Sequence, residues 1–206
     1  MRTLLLAFAG LLAIGLAATA DDESNAVLTG DDLSQLRLVG FGPETISIKD
    51  KEIRLTGKPN GYFATKQSYK NYVLKFEWMY ERPAGYKDGD KFNGNSGVLV
   101  HLVPPDKVWP KCIEVQLAYA EAGHIFAING AKFTGKTDRD ALKKSMKPVG
   151  EWNEQEIICK DGVMTCTVNG VTVASGSGAS PDEGTIGFQA EGSPIRFRFL
   201  RIKKMN

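Results

Sequence analysis

Cysteine and histidine are both scarce in this chain, with three Cys and two His among 206 residues. Three scattered cysteines are too few for a disulfide framework. No Cys-x-x-Cys or His-x-x-x-His spacing offers zinc a ligand set. Charge of one sign is also missing, since 26 Lys and Arg face 24 Asp and Glu. That balance argues against nucleic acid or an acidic membrane surface as partner. There is no P-loop or dinucleotide fingerprint, and Gly40-Phe41-Gly42 and Gly176-Ser177-Gly178 read as loops. Gly94-Asn95-Ser96-Gly97 lacks the glycine placement of a Gly-x-Ser-x-Gly nucleophile elbow.

The exception to the shortage of long apolar runs stands at the start. Arg2 precedes an uncharged stretch from Leu4 to Ala18, and Ala18-Thr19-Ala20 forms a small-x-small cleavage site. A bilayer span needs about 20 apolar residues, and Asp21, Asp22 and Glu23 interrupt this run at once. No cysteine stands at the cleavage point to carry a lipid. The expectation is a signal peptide over 1–20 and one domain over 21–206. The product would be secreted or periplasmic, with no membrane anchor after cleavage.

What the mature chain does have is strand after short strand. Tyr69–Tyr80 puts Tyr72, Leu74, Phe76, Trp78 and Tyr80 on one face and Lys75 and Glu77 on the other, the pattern of a strand buried on one side. Trp78 is thereby expected in the core. Similar runs cover Thr45–Ile48, Glu52–Thr56, Tyr62–Thr65, Val98–Val103, Ile113–Leu117, Glu156–Lys160, Met164–Val168, Val171–Ala174, Thr185–Glu191 and Ile195–Ile202. Asp161-Gly162 and Asn169-Gly170 suit tight hairpin turns. Lys132 to Lys147 is charged, with room for a helical turn but no sustained 3.6-residue period. Many short strands without a long helix predict an all-β, two-sheet antiparallel sandwich, with a closed barrel as the alternative. A two-residue turn at Asp161-Gly162 pairs Cys159 with Met164, which leaves Cys166 only a diagonal neighbour, roughly 7–8 Å away by Cα. Free buried thiols are the expectation.

Alternation also sorts the polar residues. In Ile113-Glu114-Val115-Gln116-Leu117 the apolar set faces the core, so Glu114 and Gln116 face away from it. The same logic turns Gln189 and Glu191 away from the core, and places His101 opposite Val98, Val100 and Leu102. If these strands share a sheet, two carboxylates, two amides and an imidazole converge on one concave face. A solvated sheet face is the alternative that alternation leaves open. Glucanases on such sandwiches typically carry Glu-x-Asp-x-x-Glu on one strand. Here the matching positions read Glu114, Gln116 and Tyr119, so double displacement by paired carboxylates lacks its machinery.

Five segments, in order, carry a family resemblance. They are Asn95-Ser96-Gly97-Val98, Trp109 to Leu117, Lys147-Pro148-Val149-Gly150-Glu151-Trp152-Asn153, Asn169-Gly170, and Gly187 to Arg198. Together they resemble the 3-keto-disaccharide hydrolase family over roughly Gly61 to Lys204. The resemblance implies a jelly-roll sandwich of the concanavalin A-like lectin/glucanase type and activity on sugars with a ketone at carbon 3. Many family members have Asp-His-Gly where this chain has Ala190-Glu191-Gly192, and Arg where it has His101.

A 3-keto group acidifies the hydrogen on carbon 2, so the implied chemistry is elimination across carbons 1 and 2 followed by hydration. It needs a base, an acid and donors for the developing enolate. Glu114 and Glu191 are the expected acid–base pair, with His101 as an alternative proton carrier. Asn95, Gln116 and Gln189 would hydrogen-bond the sugar, and Trp109 would stack on a ring. No metal ligand set is legible and no cofactor is expected. The expected partner is a carbohydrate. A non-catalytic carbohydrate-binding module of the same fold is the rival reading, and a structural envelope protein a third.

Overall fold

A computed structural model describes Val27 and residues 31–206. The expected signal segment, 1–20, lies outside the described residues. Fourteen strands, one short α-helix and a 3-10 turn at Leu33–Gln35 are present among those described. In chain order the first strands are β1 (Arg37–Val39), β2 (Ile46–Lys49), β3 (Glu52–Leu55), β4 (Gly61–Ala64) and β5 (Tyr72–Tyr80). Next come β6 (Gly97–Val103), β7 (Lys111–Gln116), β8 (Ile125–Ile128) and β9 (Lys132–Thr137), then helix α1 (Arg139–Ser145). The last five are β10 (Asn153–Lys160), β11 (Val163–Val168), β12 (Val171–Ser180), β13 (Thr185–Ala190) and β14 (Ile195–Lys204).

All pairings between these strands are antiparallel, in two open sheets rather than a closed barrel. The six-stranded sheet runs β1-β4-β13-β6-β7-β8, and the eight-stranded one β2-β3-β14-β5-β10-β11-β12-β9. The inward faces meet in an aromatic centre. Phe63 stacks on Phe188 at 5.0 Å, and Phe76 and Phe197 meet Phe188 edge-on at 5.3 and 5.2 Å. Such offset and edge geometries suit the quadrupoles of the rings. Trp78 is fully buried, as alternation predicts, and its indole N–H donates to Gln155 Oε1 at 2.9 Å.

Three strands, β1, β8 and β9, lie outside the runs that alternation marks. The stretch Lys132 to Lys147 holds both an edge strand, β9, and helix α1, which Asp138 caps by accepting from the Ala141 N–H. The hairpin prediction agrees with the register, because Cys159 faces Met164 and Lys160 faces Val163. All three cysteines are free and buried. Burial pushes the Cys159 and Cys166 thiols up to about 12, so neither is poised to react.

Several segments behind the family resemblance prove to be scaffolding. Asn169, at a left-handed φ of 48° in its hairpin, accepts from the Glu154 N–H and donates to the Ser145 carbonyl and Asn153 Oδ1. Asn153 in turn accepts from the Lys147 N–H. The two asparagines pin the 145–153 connection onto the β11–β12 turn. Trp152 lies under the Arg198 guanidinium, 4.0 Å from the ring centre, which is a packing role.

Candidate active site

The outward face of the six-stranded sheet divides into two halves. In one, Tyr62, Ala64, Leu99, Leu102 and Cys112 form a second buried apolar cluster, with Val39 and Ile128 against it. The other is a polar corner built from adjacent strands. Register places Glu114 opposite Leu99 on one side and Phe126 on the other, and Gln116 opposite Gly97. On β13, Gln189 lies opposite Tyr62 of β4, and Glu191 follows directly after the end of β13.

Gly97 is the hub of this corner. A β-carbon there would collide with Oε1 of both Gln189 and Glu114, so the two side chains reach over a bare α-carbon from opposite sides. The preceding Ser96 is buried and donates its hydroxyl to the Gln189 carbonyl at 2.8 Å, locking β13 to the entry of β6. The Asn95-Ser96-Gly97 segment therefore has a local reason: an amide for the site, a hydroxyl tie, and an empty position.

Electrostatics set this corner apart. Glu114 is 5 % exposed and no cation pairs with it among the described residues. Burial, and then the neighbouring charge of Glu191, push its carboxyl up to about 7. Burial also raises Glu191, while a hydrogen bond from Asn95 opposes the shift. Glu191 is the more exposed of the two, and its charge opposes ionisation of the buried Glu114. Gln189 is buried with neither its amide oxygen nor its amide nitrogen bonded to protein, and Asn95 Oδ1 is also unpartnered. A buried polar group without a partner is costly, and here such groups cluster beside two carboxylates. No group of three or more His, Cys, Asp or Glu among the described residues is arranged to hold a metal ion.

The expected site residues are thus only partly united. Glu114, Glu191, Gln189 and Asn95 come together. Gln116 shares the face, but its side-chain oxygen accepts from the Leu117 and Ala118 N–H groups at 2.9 and 2.8 Å, so that oxygen serves its own loop. His101 does not join them. The pairing of β6 slips between Val100 and Val103, and His101 takes a left-handed φ of 55°. This bulge reverses the alternation: Leu102 takes the outward face, and His101 is buried beside the Tyr72 ring, which belongs to the core between the sheets. Its Nδ1 lies 3.2 Å from the Pro181 carbonyl, so it carries the proton, and burial lowers the imidazole pKa. Trp109 also lies elsewhere, in a cleft at the opposite end of the β6–β7 pair.

Sequence reading missed Phe126 and His124. Phe126 stands directly across from Glu114 on the edge strand β8, half-buried, and the His124 ring stacks on it at 5.5 Å. The His124 carbonyl accepts from the Gln116 N–H. Only the apolar run Ile125, Phe126, Ala127, Ile128 hinted at this strand, and it is too short and too uniformly apolar to stand out.

Residues 22–203 match the family described as the 3-keto-alpha-glucoside-1,2-lyase-like domain. No curated protein gives a significant match. Among solved structures, the chain is similar to a candidate glycosyl hydrolase from Parabacteroides distasonis. The two share 20 % identity at a TM-score of 0.66, over 91 % of this chain and 98 % of that one. It is also similar to a carbohydrate binding module from Bacillus subtilis (9 % identity, TM-score 0.56, 82 % of this chain and 96 % of that one). A β-glucanase from Bacillus licheniformis gives 9 % identity and a TM-score of 0.53, over 87 % and 97 %. At these identities the likeness is one of fold, the jelly-roll sandwich.

Proposed function

We propose, from the premise that this chain belongs to the 3-keto-alpha-glucoside-1,2-lyase-like domain family, that it is an exported hydrolase cleaving the glycosidic bonds of 3-keto-glycosides. The observation that carries this reading is the polar corner over Gly97. There a carboxyl held near neutrality faces a second carboxylate, and a buried amide beside them has its hydrogen bonds free for a ligand. The signal-like start of the sequence supports export to a secreted or periplasmic location.

Exposure assigns the roles. Glu191, the more exposed carboxylate, takes the proton from carbon 2, and those electrons form the C1=C2 bond. The bond from carbon 1 to the leaving oxygen breaks, and Glu114 gives that oxygen its proton. In the second half the roles reverse: Glu114 takes a proton from water, hydroxide adds to carbon 1, and Glu191 returns its proton to carbon 2. A group with a pKa near the working pH suits both directions. The Gln189 and Asn95 amides stand where they can hydrogen-bond sugar hydroxyls and the developing enolate oxygen. Phe126 offers a flat apolar face beside Glu114 for the C–H side of a ring.

Incubation with a 3-keto-glycoside, followed by analysis of the released sugars, tests the reading. Release that disappears in Glu114→Gln supports it. Saturable sugar binding without turnover by the unaltered protein would instead make this a carbohydrate-binding module.

A further inference from the structure

The cleft that holds Trp109 has no part in the chemistry above, yet it is the better-built surface for a ring. It is about 720 Å³ in volume and lined by Pro104, Pro105, Lys107, Val108, Trp109, Lys111, Asn129 and Gly130. That size lies within the range of small-molecule sites, roughly 300–1,000 Å³. Trp109 is 42 % exposed within it.

The segment that presents this indole is fastened at several points. Asn129, at the left-handed β8–β9 turn, donates its side-chain amide to the Trp109 carbonyl, and more weakly to that of Pro110 at 3.4 Å. Asp106 is ion-paired with Arg37. Val108 packs so closely on Gly40 that a β-carbon there would lie 2.8 Å from Cγ2 of Val108. The indole is therefore exposed on a pre-organised segment, and little ordering entropy is lost when a ligand covers it.

The charge in the cleft has one sign. Lys107 and Lys111 are exposed with no ion pair to either among the described residues, and no carboxylate lines the walls. Asp106, the nearest acid in sequence, is held by Arg37. A flat aromatic face between two ammonium groups suits a ligand that is C–H-rich on one side and anionic at its edge. We infer that this cleft is a second carbohydrate site, selective for acidic sugars such as uronates. The pyranose ring stacks on Trp109 while its carboxylate meets Lys107 and Lys111. The sugar identity of the ligand rests on the functional reading above, whereas the site and its charge preference rest on the cleft alone.

Tryptophan fluorescence gives the test, because the other tryptophans are buried or covered. The full-length protein is titrated with trigalacturonate, with neutral cellotriose and with a triglutamate peptide. The expected result is a saturable change with trigalacturonate that weakens with added salt, at least tenfold tighter than with either control. Trp109→Ala, read by calorimetry, and the double change Lys107→Ala with Lys111→Ala should each weaken binding about tenfold or more. If Trp109→Ala fails to fold, the lysine variant decides. Equal affinity for cellotriose or for triglutamate, or unchanged affinity in the lysine variant, would overturn the inference. Turnover of a 3-keto-glycoside by the same preparation is scored separately. Its absence would count against the catalytic reading while leaving a trigalacturonate result intact.

Discussion

Glu81 and Glu114 are the same residue type on the outward faces of the two sheets, and their surroundings drive them in opposite directions. Glu81, at the end of β5's face, accepts from Arg54 at 2.8 Å and from Arg196 at 2.8 Å. Those two guanidinium groups push its carboxyl down to about 2. The pattern repeats across the eight-stranded sheet, where Glu52 pairs with Arg196, Glu77 with Arg198 and Glu156 with Lys75. Glu114 is buried, with a second carboxylate for company instead of an arginine, and burial first and that charge second raise it to about 7. A carboxylate met by cations serves the fold, while one left with its own kind is available for chemistry.

That contrast breaks first at Glu114. Glu114→Gln keeps the size of the side chain and removes its acid, so turnover of a 3-keto-glycoside should fall about 10²–10⁴-fold. A fall of less than threefold, measured by product release, would take Glu114 out of the mechanism. Folding should not suffer, since the change replaces a costly buried acid by a neutral isostere.

The pH dependence of stability should carry opposite signs at the two residues. Glu114 has a folded pKa above its ordinary 4.5, so its contribution is fully present below pH 4.5 and is lost as pH rises through about 7. Relative to Glu114→Gln, the unaltered protein should lose about 2–3 kcal/mol across that window. Glu81 has a folded pKa below 4.5, so its contribution is present above pH 4.5 and is lost as pH falls towards about 2. Denaturant titrations of both variants from pH 3 to pH 8 check both slopes, and slopes of the same sign would defeat the comparison.

At neutral pH, Glu81→Gln should cost about 1–2 kcal/mol, because it leaves two half-buried guanidinium groups short of an acceptor, and should leave turnover unchanged. The smallest effect belongs to the well-solvated pair. Lys75 stands 59 % exposed against Glu156, and Lys75→Ala should change stability by about 0.5 kcal/mol or less in chemical denaturation.

The sequence exposed whatever followed strict alternation. The faces of Tyr72–Tyr80, Lys111–Gln116 and Thr185–Ala190 were readable because every second residue is apolar, and that placed Glu114, Gln189 and their neighbours on one face. His101 was misplaced because a bulge adds a residue, and a single left-handed φ inverts every parity beyond it. Trp109 lies apart from Glu114 because it precedes the start of β7, and alternation within a strand says nothing about what lies beyond its end. Strand β9, Lys-Phe-Thr-Gly-Lys-Thr, was hidden because an edge strand needs no apolar face to be held by its ladder. Phe126 was missed because pairing across the sheet, and not sequence separation, makes it Glu114's neighbour.

The bare α-carbon of Gly97 sets a rule for redesign. Two long side chains meet above it, so even one added methyl group displaces both of their flexible ends, and a change at position 97 rearranges the site rather than the backbone. Filling the space with alanine without displacing polar groups takes a shorter reach from both sides, with Glu114→Asp and Gln189→Asn together. A library that varies the polar residues while holding Gly97 constant explores new substrates. One that varies Gly97 by itself should return folded proteins in which Glu114 and Gln189 are displaced.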